Sequence, residues 1–438
     1  MPSVSIHTLG CKLNYAESGA LGDLFLHRSF DVVPFGSASD VTVINTCSVT
    51  DEADRKCRQT IRRALRANPD TFLVVTGCYA QLRPDEIAAI PGVDAVMGAR
   101  EKLRLFDYLG TFEKAEETQV SVSCIDEVEA FGPAYAAGER TRAFLKIQDG
   151  CDYVCSFCTI PRARGRSRSA SIESIAQSAA DIAASGFREV VLSGVNIGLF
   201  GNDTGETLPD LLHRLDQEER IDRYRISSIE PNLLTDEIID LVAASNRFMP
   251  HFHLPLQSGD DEILGRMRRR YRSAGFRERV ERIHDVMPDA CIGCDVIVGF
   301  PGETDAHFER TLAFMTELPI SYLHVFTYSE RPDTAAEALV ARSPSLRVSR
   351  SERSGRNKVL RLLSQRKRRA FYERHLGTER AVLWEEAAPG GTVEGFTDNY
   401  IRVASSEATR GEIASVFLEM LDTNGRVRAG DGAFMPLL

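Results

Sequence analysis

Apolar positions over the first hundred residues fall into short β-branched runs: Val4–Thr8, Val41–Asn45 and Phe72–Thr76. Runs of that length and composition read as strands buried on both faces. Between them, Tyr15–His27 and Glu52–Ala67 have the pattern of helices. The alternation predicts a small α/β layer on a parallel sheet, over residues 1–130. Gln119–Arg142, with Gly132-Pro133 and Ala136-Ala137-Gly138, reads as the linker that ends it.

From residue 137 to 370 the pattern repeats a strand and a helix. Candidate strands are Phe144–Gln148, Glu189–Ser193, Tyr224–Ile229, His251–Leu256, Ile292–Val298 and Tyr322–Tyr328. Candidate helices are Ile172–Ser185, Leu208–Glu218, Thr235–Ser245, Gly275–Val286 and Asp305–Glu317. Consecutive parallel units with right-handed crossovers open into a doubly wound sheet or curl into a barrel. Six units are two short of a full eightfold barrel, so the expectation is a partial (βα)6 barrel with its chemistry at the C-terminal strand ends. A long helix, Arg347–Arg369, follows. After Leu376-Gly377 come short strands at Ala381–Glu385, Thr392–Phe396, Tyr400–Ala404 and Ile413–Leu418. They predict a small antiparallel β-barrel of the oligonucleotide-binding kind over 371–438.

Composition changes this picture little. The 438 residues carry 53 Lys+Arg against 63 Asp+Glu, a net charge of −10, with 43% hydrophobic residues. That is an ordinary globular profile, and a prior of about 150 residues per domain agrees with three units. With no apolar run of about 18 residues, a membrane span is not expected. The start shows no basic region followed by an apolar core, so a cytoplasmic protein is expected. Ten cysteines are too few for a disulfide scaffold, and in a reducing compartment they are ligands or nucleophiles.

Cys151, Cys155 and Cys158 form a CxxxCxxC loop directly after the first barrel strand. Three soft thiolates can hold three irons of a cubane cluster and leave the fourth open to chelate S-adenosylmethionine. Zinc is the alternative, but it needs a fourth ligand, and no Cys or His follows within fifty residues. Phe157 offers a flat surface for adenine. Cys11, Cys47 and Cys78 each lie just past a strand of the first layer. Such strand ends converge on one rim in a parallel sheet, so the three either share a second cluster or are separate buried residues. Cys57 and Cys124 read as spectators. Cys291 and Cys294 stand three apart on a strand, hence on opposite faces, and read as structural.

Polar groups recur at the other barrel strand ends: Ser193-Gly194-Val195-Asn196, Ser228-Ile229-Glu230 and Gln257-Ser258-Gly259. Ser193, Gly194, Asn196, Ser228, Glu230 and Gln257 are therefore candidates for cofactor binding. Positive charge clusters on an acidic chain: Arg164 and Arg166 after the thiol loop, Arg268 within Arg266–Arg272, and Arg366-Lys367-Arg368-Arg369 on the long helix. Ten Lys/Arg against one acid between 347 and 369 suit an RNA backbone, or else solvated helix faces.

Together the residues resemble one family, the radical S-adenosylmethionine methylthiotransferases. The likeness lies in Gly10-Cys11, Asn45-Thr46-Cys47, Thr76-Gly77-Cys78-Tyr79-Ala80-Gln81, Gln148-Asp149-Gly150-Cys151 and Asp295-Val296-Ile297-Val298-Gly299-Phe300-Pro301-Gly302-Glu303-Thr304. Thr8 through Ser18, with Met267–Tyr271, is similar to the branch acting on tRNA that carries N6-threonylcarbamoyladenosine. Other branches act on isopentenyladenosine tRNA or a ribosomal protein; a non-catalytic iron–sulfur RNA-binding regulator is the reading from another class. The resemblance implies a TRAM-type C-terminal domain, two 4Fe-4S clusters held by Cys11/Cys47/Cys78 and Cys151/Cys155/Cys158, and a reductant such as flavodoxin or ferredoxin. It further implies that one S-adenosylmethionine yields a 5′-deoxyadenosyl radical and another a methyl group. The methylthio group replaces hydrogen on carbon 2 of the adenine next to the anticodon. Two positions depart from the family pattern: Cys294 where Thr is expected, and Asp333 where Gly is expected.

Overall fold

The computed structural model describes residues 1–114, 116–128, 131–136, 141–387, 391–430 and 435–436. Gly138 of the expected linker and the expected boundaries at 130 and 137 lie outside them.

The first layer is a six-stranded, wholly parallel sheet in the order Asp31–Val33, Ser3–Thr8, Val41–Thr46, Phe72–Gly77, Ala95–Met97 and Gln119–Ser121. The two central strands are buried along their whole length, as β-branched runs covered by helices on both faces should be. Helices Lys12–Leu26 and Asp51–Ala67 provide that cover. From Ser3–Thr8 the chain turns outward to Asp31–Val33, then crosses back to Val41–Thr46. That reversal opens a crevice at the carboxyl ends of the first and third strands, where ligands bind in open α/β sheets. One expectation needs correcting: Gln119–Ser121 belongs to the sheet and Tyr135–Ala136 pairs with the first barrel strand, so much of the expected linker is structured. Two- and three-residue strands are too short to show a period.

The middle segment is the expected partial barrel. Arg142–Lys146, Glu189–Ser193 and Arg223–Ile226 pair in parallel. A single bridge, Ser228 to His253, leads to the parallel set His251–Gln257, Cys291–Val298 and Tyr322–Thr327. Alternate residues such as Leu145, Val190, Tyr224, Phe252 and Cys294 point outward into the main core beneath the helices. The intervening positions face inward to the lumen, where Phe144 and Val191 pack against Ala16 of the first-layer helix and others, such as Lys146, Arg225, His253 and Asp295, are polar. Cys294 thus packs in the outer core while Cys291 packs towards the C-terminal domain, on opposite faces as their spacing requires.

The basic helix spans Arg350–Arg374, begun by a reciprocal capping box between Ser349 and Glu352. Ser364 Oγ fixes it to the last barrel strand, donating to the Leu323 carbonyl and accepting its N–H, both at 2.9 Å. Beyond it, Glu379–Ala387, Val393–Thr397, Arg402–Ser405, Val427–Ala429 and Ile413–Leu421 form a five-strand barrel, closed by pairing of the first with the last. All pairs are antiparallel except Arg402–Ser405 with Val427–Ala429, which is parallel. This domain floors the radical barrel. Arg225 donates to the carbonyls of Thr397 at 2.8 Å and Asp398 at 2.9 Å, and Arg223 to that of Ala381 at 2.7 Å. His251 stacks on Tyr400 with ring centroids 4.2 Å apart.

Candidate functional site

Two sets of three thiols lie on either side of the seam between the first sheet and the barrel. Cys11, Cys47 and Cys78 follow the strands Ser3–Thr8, Val41–Thr46 and Phe72–Gly77, at the crevice. Gly10 (φ 110°) packs against Cys47, and a Cβ there would meet Cys47 Cβ at 2.7 Å. Gly77 (φ 96°) lies against Thr46 so closely that a Cβ would collide with its backbone. Both glycines let strand ends approach that a side chain would hold apart. The thiols share one environment: burial, then the neighbouring Cys78 and Cys11, pushes Cys47 up to about 12. Cys57, expected as a spectator, donates its thiol to the Cys47 carbonyl at 3.3 Å and so steadies that loop.

The second set is held differently, by one loop. Gln148 ties it to the neighbouring strand end: Oε1 accepts from the N–H groups of Val195 at 3.0 Å and Asn196 at 2.9 Å, while Nε2 donates to the Gly150 carbonyl at 2.7 Å. The backbone N–H groups of Tyr153 and Ile160 each lie 3.4 Å from a sulfur, of Cys151 and Cys158 respectively. Arg269 Nη1 donates to Cys155 Sγ at 3.2 Å, and its other arm pairs with Glu230. Burial pushes Cys151 up to about 11 and Cys158 to about 12. Buried thiols of this kind stay protonated unless a metal centre replaces the proton.

Around this loop, buried polar atoms lack partners: Oδ1 of Asn196, whose amide also bears on the Cys151 thiol, Oε1 of Gln257 and Oγ of Ser227. Such atoms are costly unless a ligand completes them. Gln257 is also held at φ 68°, in the left-handed region, where strain often marks a functional position. The donor set and the incomplete polar atoms fit an iron–sulfur cluster with S-adenosylmethionine on it. Phe157 is half-buried, edge-on to Phe300 at 6.4 Å. Gly194 packs against Gln148. Ser193 is buried, its hydroxyl donating to the Val191 carbonyl at 3.1 Å, and Ser228 joins the two halves of the barrel.

Between the two sets runs a buried ion network that sequence reasoning missed. Glu17 accepts from Arg164 at 3.0 Å, Lys102 at 2.6 Å and Lys146 at 3.2 Å. Asp149 accepts from Lys146 at 2.8 Å, Arg164 at 2.9 Å and Arg168 at 3.2 Å. Burial alone would raise Glu17, but its three cationic partners hold it far below the usual carboxylate range. Arg164 is only 2% exposed, and its charge acts on the Cys78 thiol. This corrects its expected place among RNA contacts, because no backbone phosphate could reach it. The one available signal was Lys146 and Gln148, inward-facing polar residues inside an apolar strand.

The remaining arginines divide. Arg166, Arg268, Arg366, Arg368 and Arg369 are exposed. Lys367 is half-buried, donating to the carbonyls of Thr316 at 3.0 Å and Leu318 at 2.8 Å. It caps helix Asp305–Glu317, a correction to its expected RNA role. Asp333 adopts φ 64°, which explains the expected Gly, and it ion-pairs with Arg162 at 3.0 Å within the barrel segment and with Arg83 at 3.4 Å across the seam.

Comparison with known proteins matches residues 145–315 to the Radical SAM superfamily and residues 3–98 to the Uncharacterized protein family UPF0004. The chain is 38% identical to the threonylcarbamoyladenosine tRNA methylthiotransferase MtaB of Bacillus subtilis, covering 95% of this chain and 93% of that one. It is 40% identical to the protein of that name from Aquifex aeolicus, covering 91% and 96%. A tRNA-2-methylthio-N(6)-dimethylallyladenosine synthase of Anaeromyxobacter dehalogenans is 35% identical over 78% of this chain and 74% of its own. Among solved structures, the radical S-adenosylmethionine methyltransferase TsrM of Kitasatospora setae shares the fold, with a TM-score of 0.57 at 14% identity over 78% of each chain.

Proposed function

This chain belongs to the radical S-adenosylmethionine methylthiotransferases, and from that membership we propose that it adds a methylthio group to carbon 2 of N6-threonylcarbamoyladenosine, beside the anticodon of tRNA. The observation that carries the substrate is the end-to-end match to relatives named for it, at 38% and 40% identity over more than nine-tenths of the chain. The dimethylallyladenosine relatives match a shorter stretch. The cofactors are two 4Fe-4S clusters and S-adenosylmethionine.

Cys151, Cys155 and Cys158 would hold one cluster, and Cys11, Cys47 and Cys78 the other. When bound, these groups supply the electron for reductive cleavage of S-adenosylmethionine and the place where sulfur is methylated and passed on. The chain's own residues do the rest. Arg269 stabilises the Cys155 thiolate by donating to its sulfur. Asn196, Gln257 and Ser227 offer the unpartnered atoms that the amino, carboxylate and ribose groups of S-adenosylmethionine need. Phe157 offers its ring to the adenine; Glu230, Ser193, Gly194 and Ser228 shape the strand ends around it. Arg166, Arg268, Arg366, Arg368 and Arg369 form the surface for the tRNA backbone, so that a base splayed from the anticodon loop enters the lumen. Reduction comes from a small electron carrier such as flavodoxin or ferredoxin, in the cytoplasm where tRNA is found.

Mass spectrometry of tRNA nucleosides from a strain lacking such activity, with and without this gene, tests the reading. The expected product is 2-methylthio-N6-threonylcarbamoyladenosine, present only with the gene. A methylthiolated isopentenyladenosine instead would move the substrate to the other tRNA branch. No product, and no 5′-deoxyadenosine with both clusters loaded, would leave the RNA-binding regulator.

A further inference from the structure

Three polar side chains that belong to neither thiol set meet inside the barrel lumen. His253, Asp295 and His324 come from three neighbouring parallel strands, their ligating atoms all within 4.8 Å of one another. Asp295 Oδ1 lies 2.9 Å from His253 Nε2 and 3.4 Å from His324 Nδ1. A carboxylate only accepts, so each ring nitrogen facing it carries hydrogen. The second nitrogen of His253 is occupied by the Tyr322 hydroxyl, at 3.3 Å. His324 differs from its neighbour in two respects: its side chain is 51% exposed, and its Nε2 has no hydrogen-bond partner among the described residues. The histidine is held at one nitrogen and open at the other.

Lys12 shares this lumen, close enough for its charge to act on His251, the ring that closes the floor against Tyr400. Arg142 and Arg225 lie nearby, but both are paired with carboxylates, Arg142 with Glu385 and the buried Glu189 and Arg225 with Glu189. A lumen with one ammonium that forms no ion pair among the described residues and one open imidazole suits a ligand that bears both hydrogen-bond donors and a negative charge. The threonylcarbamoyl group has amide N–H groups, a hydroxyl and a carboxylate; an isopentenyl group has none of these.

We propose that His253, Asp295 and His324 form the subsite for the polar side chain on N6 of the substrate adenine, with His324 touching it and Asp295 acting as the positioning residue. This rests on the methylthiotransferase reading above and names the part of the site that selects its substrate. His324 Nε2 accepts from the hydroxyl or an amide N–H of the ligand, and Lys12 neutralises the carboxylate. A site built to pair polar atoms rejects an analogue that lacks them, because its own groups are then left unpaired.

The test uses the full-length enzyme with both clusters reconstituted and a fluorescent anticodon stem-loop, with or without threonylcarbamoyl on the adenine. Wild-type enzyme binds the threonylcarbamoyl RNA more tightly. His324→Ala loses about tenfold in affinity for that RNA, the effect of one lost hydrogen bond, and changes little for the RNA lacking the group. His324→Gln, which keeps an acceptor, retains most of the preference; Asp295→Asn, which frees the ring, lies between. A preference that survives both His324→Ala and Asp295→Asn would overturn the subsite alone. Equal loss for both RNAs would overturn it in favour of a general RNA contact. No preference in the wild type would overturn the substrate reading and the subsite together. Stoichiometric Mn²⁺ or Zn²⁺ beyond the cluster iron, lost in His324→Ala, would make the three residues a metal site instead.

Discussion

The two thiol sets have the same chemistry and opposite architectures. Cys151, Cys155 and Cys158 stand on one loop, so a short stretch of chain fixes their mutual positions. Cys11, Cys47 and Cys78 stand on three strand ends, brought together only when the sheet forms and the two glycines allow close approach. A loop site depends on local geometry, whereas a strand-end site depends on the whole layer. The buried charges of Glu17 and Asp149 join the two, so the sets are separate in origin and coupled in the fold.

The largest expected effect separates their chemistry. Replacing Cys151, Cys155 and Cys158 with Ala should abolish 5′-deoxyadenosine formation altogether. Replacing Cys11, Cys47 and Cys78 should leave that cleavage intact, abolish methylthio transfer and remove roughly half of the iron, if each set holds one cubane. Cleavage lost in both variants, with iron still at the barrel loop, would show that the two sets do not work independently.

Next comes the strand-end architecture. Gly77→Ala should cost more than about 1 kcal/mol, because the residue has φ 96° and no room for a Cβ. The three strand ends would part, so iron at that site should fall while the barrel-loop cluster keeps its electronic spectrum. An unchanged iron content with lower stability would mean that the thiols tolerate the displacement.

The coupling between the sets is the third target. Arg164→Ala leaves Glu17 and Asp149 short of a partner, and loss of one member of a buried charge network costs about 3–5 kcal/mol. Thermal unfolding should register this loss, with tRNA affinity in the surviving folded protein little changed. The pH dependence has a definite sign. Glu17 and Asp149 are both held below their unfolded values by neighbouring cations, against the opposing effect of burial. Their stabilisation is therefore complete above the ordinary carboxylate range of about 4 and fades as pH falls towards their depressed folded values. In Arg164→Ala the acid side of the stability curve should flatten.

The smallest effect is expected at the surface. Replacing Arg366, Arg368 and Arg369 with Gln should weaken tRNA binding and lower its salt slope by roughly one for each phosphate no longer neutralised. Lys367→Gln should do less, since its ammonium already caps a helix. Equal effects at all four positions would place Lys367 on the RNA after all.

Much of this was readable along the chain. Val41–Thr46 and Phe72–Gly77 show as strands because a β-branched run covered on both sides has no polar alternative. The CxxxCxxC loop is visible because its ligands are neighbours in sequence. Gln119–Ser121 and Val427–Ala429 were missed because three residues carry no period, and their pairing comes from partners far away in the chain. Arg269 was hidden within a basic run, although its side chain reaches Cys155 more than a hundred residues earlier.

The sequence by itself determined the order of the longer strands and helices and the thiol loop, because periodicity and spacing are local properties. It did not determine what each polar face would meet. Arg164, Arg166 and Arg168 alternate in one short stretch, yet two are buried against Glu17 and Asp149 and one faces solvent. His253, Asp295 and His324 are distant in the chain and adjacent in the lumen. Side-chain direction follows from local backbone geometry, but the group that waits there comes from another strand or domain, and only tertiary packing decides which.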